Sequence, residues 1–222
     1  MGLIRNILAL IGVVAIVAGV FMAGKMGGMM TLMPGMLSPE MKPIMDVMNQ
    51  NATGMVTAAR NLAPGAAEET ASMLKRWVDS KGEIAYTVVW ERKVKEGVSL
   101  EDIQDALASV ASERNIKAVG ELPLSEELLA RGVQSGVLKV FSYCNPETAR
   151  KMVDFAPPMA AFLPCRIIVV EKADGLWLYT LNMDMMLKMG QKLDSHPELK
   201  EAAWQVRETI WEMMEKASKG EI

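Results

Sequence analysis

The sequence has few of the residues on which most catalytic centres depend, with one histidine and two cysteines among 222 residues. The Cys-x-x-Cys spacing of redox motifs and the Cys-x-x-Cys-His motif of covalently attached haem are both absent. Ser195, His196 and Asp194 cannot form a hydrolase triad, because adjacent residues cannot adopt the geometry that a triad needs. We therefore expect a non-enzymatic protein, with hydrolase or transferase chemistry as the least favoured class.

The chain also lacks an excess of basic residues. Lys and Arg number 24 against 27 Asp and Glu, which gives a net charge of −3. Proteins with high affinity for nucleic acid use clustered Lys and Arg to neutralise its phosphates, and the sequence has no such basic patch. We expect no nucleic-acid partner.

Charge is missing altogether from residues 6–24, nineteen consecutive uncharged residues between Arg5 and Lys25. As a helix this run would span about 28 Å, close to the ~30 Å hydrocarbon core of a bilayer. A cleaved secretory signal is the alternative, but the run exceeds the usual signal core, and Phe21 or Met22 stands where cleavage requires a small residue. Residues 1–25 are therefore predicted to be an uncleaved transmembrane anchor.

The orientation of this anchor is predicted from its flanks. Arg5 and the terminal amine favour a cytoplasmic N-terminus, although Lys25 on the other side opposes them. We expect a single-pass protein of the cell membrane, in contact with the lipid bilayer. Its globular part would then lie in the periplasm of a bacterium.

Methionine is the one residue in clear excess, at 20 of 222, and nine methionines fall within residues 26–55. The Met-x-x-Met spacing of Met26, Met29, Met33 and Met36 suits Cu(I), which prefers soft sulfur ligands. The favoured alternative is contact with lipid or a protein partner, because methionine is flexible and apolar. Residues 26–81 are predicted to be a Met-rich linker with amphipathic helices, one beginning after Ser38 and one over 66–79.

The remaining residues, 82–222, show the pattern of an α+β domain. Five strands are predicted at 83–94, 116–122, 137–143, 165–172 and 176–181, the last two joined as a hairpin. Helices are predicted after the Ser99 capping box, over 125–130, after Asn145-Pro146, over 183–193, and from a Ser195-x-x-Glu198 capping box to about Ser218.

Three short motifs then carry a resemblance. They are Val140-Phe141-Ser142-Tyr143-Cys144-Asn145-Pro146, Phe162-Leu163-Pro164, and the stretch from Ile167 through Asp174-Gly175 to Tyr179. Over roughly 83–215 the chain resembles the domain-of-unknown-function 302 family. The resemblance implies a β-α-β-β-β-β-α order with an antiparallel sheet, similar to TATA-binding-protein-like domains. Its motif residues are Asn145, Pro146, Leu163, Pro164 and Tyr179, and Cys144 stands where family members usually carry glycine. The family has no settled activity, so function stays open.

The two cysteines are the first candidate site. Cys144 ends one predicted strand and Cys165 begins the next, so antiparallel strands would place both at one end of the sheet. A disulfide, two independent buried thiols, and a redox-active or metal-binding pair all remain open.

His196 is the second candidate. Its position at a helix start is typical of an exposed residue with no special role. The alternative is an axial ligand of non-covalent haem, with Met185, Met186 or Met189 as its partner.

From these observations we expect a membrane-anchored accessory or interaction domain of a larger membrane complex, with a membrane protein or a second copy as partner. Trp204 and Trp211, seven residues apart, mark a partner surface, a membrane-interface contact or, as the favoured interpretation, the edge of the core. No cofactor is favoured. The alternatives are a haem- or copper-binding carrier in periplasmic electron transfer, and a small-ligand-binding domain with its cleft between the sheet and the C-terminal helix.

Overall fold

The computed structural model describes residues 38–60, 62–188, 193 and 195–222. The predicted anchor, the four Met-x-x-Met residues Met26, Met29, Met33 and Met36, and Met189 lie outside the described residues. Among the described residues, no helix is both long and apolar enough to span a bilayer. The chain divides into two units after Arg60.

The described part of the first unit, residues 38–60, contains two short helices. A 3-10 turn, Pro39–Met41, leads into α1, Lys42–Gln50, and α2 follows over Ala52–Arg60. The chain turns at Asn51, whose side-chain amide donates to the carbonyl of Val47 and ends the first helix. Ile44, Met48 and Met55 are all exposed within this unit.

The second unit opens with helices α3, Ala66–Asp79, and α4, Ile84–Val88, followed by strand β1, Val89–Lys93. The α3 prediction is confirmed, but the strand predicted over 83–94 is wrong in its first half. The Arg76 guanidinium of α3 donates to the carbonyl of Thr87, which is buried, and so satisfies one of the last carbonyls of α4. This tertiary contact overrides the local β preference of the segment.

The sheet contains four further strands: β2, Lys117–Leu122; β3, Leu138–Cys144; β4, Cys165–Lys172; and β5, Gly175–Leu181. Their order is β1-β5-β4-β3-β2, and every neighbouring pair is antiparallel. The expected five-stranded antiparallel sheet is confirmed.

Helices connect and cover these strands: α5, Leu100–Glu113; α6, Leu124–Ala130; α7, Pro146–Phe155; a 3-10 helix, Pro157–Phe162; α8, Met183–Lys188; and α9, Pro197–Lys219. Alternate strand residues face α5 and α9, as the period of two requires. The core comprises Phe141, Tyr143, Ile167, Val169 and Leu178 of the sheet with Ile103, Leu107, Val110, Ile210, Met213 and Met214 of the helices.

The helix caps test the local predictions directly. Ser99 and Asp102 form the predicted capping box at α5, and the Asn145 side chain accepts from the Thr148 amide at the start of α7. The capping box predicted at Ser195 is wrong, because α9 begins at Pro197 with His196 as its N-cap. A residue before proline is disfavoured in helical geometry, so His196 cannot form the first helical turn.

Candidate functional site: a sulfur-lined cavity

The end of the sheet formed by β3 and β4 brings the two cysteines together. Tyr143 pairs with Cys165 across the antiparallel strands, and Cys144 follows Tyr143 as the last residue of β3. Asn145 then turns the chain into α7, while the 3-10 helix and Leu163-Pro164 lead back into β4. Both cysteines therefore lie at the same end of the sheet, the arrangement that antiparallel strands were expected to produce.

Between this end of the sheet and helices α7, α8 and α9 lies a small cavity of about 70 Å³. Its wall is apolar apart from Asn145 and Thr148, and none of its lining residues is charged or a histidine. Six lining residues carry sulfur: Cys144, Met152, Met159, Cys165, Met183 and Met186. We call this space the sulfur cavity.

A second cavity, of about 380 Å³, adjoins the first. The two share Phe162, Cys165, Met183 and Met186 as lining residues. The second cavity also contacts Arg166 and Tyr179, so its wall is more polar than that of the sulfur cavity. Its volume falls within the range of small-molecule sites, about 300–1,000 Å³, whereas the sulfur cavity holds only a few atoms.

Burial governs the chemistry of the two thiols, both of which are free in the structure. Burial raises the pKa of Cys144. It raises the pKa of Cys165 to about 11, with a smaller contribution from the negative charge of a Cys144 thiolate and an opposing one from Arg166. Both groups are therefore protonated thiols at neutral pH, which disfavours nucleophilic catalysis because the thiolate is the nucleophile. The disulfide, the two independent thiols and the redox-active or metal-binding pair, which the sequence left open, all stay predictions.

Helix α8 supplies Met183 and Met186 to the cavity and is held in place by ion pairs. Arg207 of α9 donates from Nε and Nη2 to the two carboxylate oxygens of Asp184, at 2.8 and 3.0 Å. Lys188 Nζ lies 3.6 Å from Asp184 and 3.9 Å from Glu69 of α3. The bidentate geometry of the Arg207 pair fixes the helix direction, and with it the positions of both methionines.

Three tryptophan rings surround the Arg207 guanidinium that pairs with α8. The Arg207 guanidinium lies 4.9 Å from the ring centroid of Trp90, 5.3 Å from that of Trp211 and 5.9 Å from that of Trp204. All three rings are half-buried. Trp204 and Trp211 thus pack at the edge of the core around a cation, which is the favoured interpretation of their spacing.

His196 lies outside the sulfur cavity. Its ring packs edge-on against Phe155, with the ring centroids 5.0 Å apart, beside a shallow cavity lined by Lys151, Asp154 and Glu198 among others. Met185 is not among the lining residues of that cavity. Of the methionines that could pair with His196 on haem, Met186 lines the sulfur cavity and Met189 lies outside the described residues, so this ligand pair stays a prediction.

Three sulfur residues of the cavity were not singled out from the sequence: Met152, Met159 and Met183. The sequence contains a pattern that could have indicated Met152. Asn145, Thr148, Ala149 and Met152 follow the i, i+3, i+4, i+7 spacing that places side chains on one face of α7. Met159 and Met183 lie on other elements, and no spacing along the chain connects them with the cysteines.

This chain is similar to proteins of one family. Residues 90–217 match the domain of unknown function DUF302. The crystal structure of an uncharacterized conserved protein DUF302 from Bacillus stearothermophilus is similar to this chain, with 17% sequence identity and a TM-score of 0.47 over 59% of this chain and 98% of that one. No curated protein matches.

The expected motif residues lie around the two cavities and within the matched range. Asn145 and Leu163 line the sulfur cavity, Pro164 and Tyr179 line the adjoining one, and Pro146 is the first residue of α7. The Leu163–Pro164 peptide bond is cis. Since residues 90–217 make up more than half of its length, this chain belongs to the DUF302 family.

Proposed function

We propose that this protein is a non-enzymatic binding domain, anchored in the cell membrane with its globular part in the periplasm, that carries a small ligand in the sulfur cavity for a membrane partner. The observation that carries the proposal is the cavity itself: an apolar space lined by two thiols and four thioethers, with no charged side chain in its wall. Binding sites of this kind are concave, mostly apolar and equipped with a few polar groups that set orientation.

Binding is favoured over catalysis by the chemistry of the wall. General acid–base catalysis needs a group whose pKa lies near the working pH. The cavity lining offers two thiols with raised pKa values, an amide and a hydroxyl, but no carboxyl or imidazole group. Such a lining can hold a ligand by packing and soft contacts, and it offers little with which to move a proton.

Membrane attachment and partnership rest on the sequence and on the first unit. The uncharged run at residues 6–24 is long enough to span a bilayer. Within the first unit, Ile44, Met48 and Met55 expose apolar side chains that suit contact with lipid or with a membrane protein. These features support an accessory role beside a larger membrane complex.

The test is to look for a bound ligand in protein taken from its own membrane. The mass of full-length protein extracted in mild detergent would be measured by native mass spectrometry, and its absorption spectrum would be recorded. We expect a mass above that of the polypeptide, which disappears on denaturation. A mass equal to that of the polypeptide in every gentle preparation would contradict the proposal, and a Soret band would favour the haem alternative.

A matched pair of variants places the ligand. Ala149→Leu adds bulk to the α7 wall of the sulfur cavity, whereas Ala160→Leu makes the same change at an exposed position of the 3-10 helix that does not line it. We expect the first variant to lose the extra mass and the second to retain it. Loss in both, or in neither, would show that the ligand is bound elsewhere.

A further inference from the structure

We infer that the ligand of the sulfur cavity is Cu(I), bound by the sulfur atoms of Cys144 and Cys165 together with the thioethers of Met183 and Met186. This inference rests on the proposed function and names the chemical class of its ligand. It differs from the copper hypothesis drawn from the sequence, which placed the metal on the Met-x-x-Met residues near the membrane.

The donor set selects the metal. Thiolates and thioethers are soft ligands that prefer Cu(I), whereas carboxylates, carbonyl groups and water suit Mg²⁺, Ca²⁺ and Mn²⁺. The cavity wall contains six sulfur residues and no carboxylate. Structural zinc sites use four Cys or His ligands, and the wall offers two cysteines and no histidine. Among the common biological metals, Cu(I) matches this lining best.

The sulfur donors converge from separate elements on one space. Cys144 ends β3, Cys165 begins β4, and Met183 and Met186 lie one turn apart on α8. Residues three apart on a helix share a face, and both of these methionines line the same cavity. Met152 of α7 and Met159 of the 3-10 helix complete the wall. A volume of about 70 Å³ accommodates a single ion with rearranging thioethers and is too small for haem.

The charge of the occupied site follows from its ligands. When Cu(I) binds, each cysteine that coordinates it loses its proton to solvent, a Cu–S bond replaces the S–H bond, and no oxidation state changes. One thiolate neutralises the ion, and two leave a single negative charge.

The test uses the full-length protein in detergent under reducing, oxygen-free conditions, titrated with Cu(I) in competition with the chromophoric chelator bicinchoninate. We expect one tightly bound Cu(I) per chain. We also expect X-ray absorption at the copper edge to show sulfur in the coordination shell without nitrogen or oxygen. A wild-type protein that leaves all Cu(I) with the chelator would overturn the inference.

Variants locate the metal. We expect Cys144→Ser and Cys165→Ser each to weaken binding at least about 100-fold, since even residues that only support a ligand typically contribute about 10- to 100-fold. Met186→Leu keeps the volume but removes the sulfur, and should weaken binding about tenfold. Met185→Leu is the matched control, because Met185 lies on the same helix but does not line the cavity. Its affinity should equal that of the wild type.

The methionines near the membrane need a separate control. A variant with leucine at Met26, Met29, Met33 and Met36 should retain the tightly bound Cu(I). Loss of that copper in the leucine variant, with retention in the Cys144→Ser/Cys165→Ser double variant, would overturn the inference and place the metal on the linker. Circular dichroism of each variant shows whether it is folded.

The two proposals fail in distinguishable ways. The reduced protein could fail to bind Cu(I) while native protein contains another ligand whose mass is lost in Ala149→Leu. In that case the cavity binds a different ligand and only the copper inference is wrong. If native protein carries nothing and Cu(I) does not bind, both proposals are wrong. Copper that remains bound in both single cysteine variants would contradict the site while leaving the binding function standing.

Discussion

The two faces of α8 have opposite chemistry. One face presents Met183 and Met186 to the sulfur cavity, and the other presents Asp184 and Lys188 to charged partners on neighbouring helices. Both faces belong to a helix of only six residues, too short to be stable by itself. Its position must therefore be set by its neighbours, and the two faces are set in different ways.

The charged face is held by directional contacts. Asp184 pairs with Arg207 in bidentate geometry, and the buried side chain of Asn182, just before α8, donates to Glu69 of α3 at 2.7 Å. The methionine face makes no hydrogen bonds through its side chains, and its thioethers are flexible. Ion pairs therefore hold the helix in place, whereas the flexible methionine face can adapt to the ligand that we propose.

Removing the ion pair on the charged face of α8 should cost the most stability. Arg207→Met leaves the Asp184 carboxylate, whose side chain is only 13% exposed, without its bidentate partner. Removing one partner of a largely buried pair costs about 3 kcal/mol, and we expect that loss in the free energy of unfolding of the full chain. Urea unfolding followed by circular dichroism measures it.

The matched control for this prediction is Arg114→Met. Arg114 pairs with Glu212 at a more exposed position, where its side chain is 53% exposed. Exposed pairs contribute about 1 kcal/mol or less, so this variant should lose little. Equal losses in the two variants would remove the distinction between the charged face of α8 and an ordinary surface ion pair.

Truncating Met186 on the methionine face should cost less stability. Met186→Ala removes a half-buried side chain that packs against the core and enlarges the cavity, and we expect a loss of about 2 kcal/mol in the free energy of unfolding. Met186→Leu conserves the volume and should cost less than about 1 kcal/mol. If leucine proved as damaging as alanine, the sulfur atom rather than packing would stabilise the metal-free protein.

The alkylation rate of Cys165 tests whether its thiol is buried beside the methionine face. With its pKa raised to about 11, its thiolate fraction at pH 8 is far below that of a peptide thiol. Greater nucleophilicity of the thiolate recovers part of the rate, so alkylation by iodoacetamide should be about tenfold slower than for the peptide. Site-resolved mass spectrometry gives the rate, which should rise continuously with pH up to about 11. A rate equal to that of the peptide would show that the thiol is not buried as the structure has it.

The smallest effect is the response of the charged face to acid. Burial alone would raise the pKa of Asp184, but the hydrogen bonds and positive charge of Arg207, with help from Lys188, hold it below its usual value. The stabilisation is therefore present above the unfolded-state pKa of about 3.9 and is lost as the pH falls through the lower folded-state value. Unfolding at pH 6 and pH 3 should show a smaller difference between wild type and Asp184→Asn at the lower pH. A constant difference would mean that the carboxylate charge does not contribute.

Much of the fold could be predicted because its signals are local. The capping box at Ser99, the Asn145-Pro146 start of α7 and the hairpin around Asp174 each depend on contacts within a few residues. The errors occurred where a distant residue or a neighbouring proline decided the outcome. Arg76 stabilises α4 against the β preference of its sequence, and Pro197 moves the N-cap of α9 to His196.

The candidate site was predicted in part. Cys144 and Cys165 could be singled out, because each borders a proline motif at a predicted strand end. Their shared cavity could not be predicted, because it depends on the position of α8, which Arg207 and Glu69 set from distant parts of the chain. His196 was a reasonable candidate as the only histidine, but the structure places it against Phe155 and outside the sulfur cavity.

Local patterns in the sequence were enough to predict the five strands, apart from the first half of the segment 83–94, and most of the helices that surround them. An uncharged run was enough to predict a membrane anchor. These depend on residue periodicity, caps and turns, whose energetics act between near neighbours. Which sulfur residues line one cavity depends on tertiary packing, since Cys144, Cys165 and Met186 come from three elements whose spacing in the chain carries no information about their distance. Packing between layers, fixed by one helix with a charged face and an apolar one, made them neighbours.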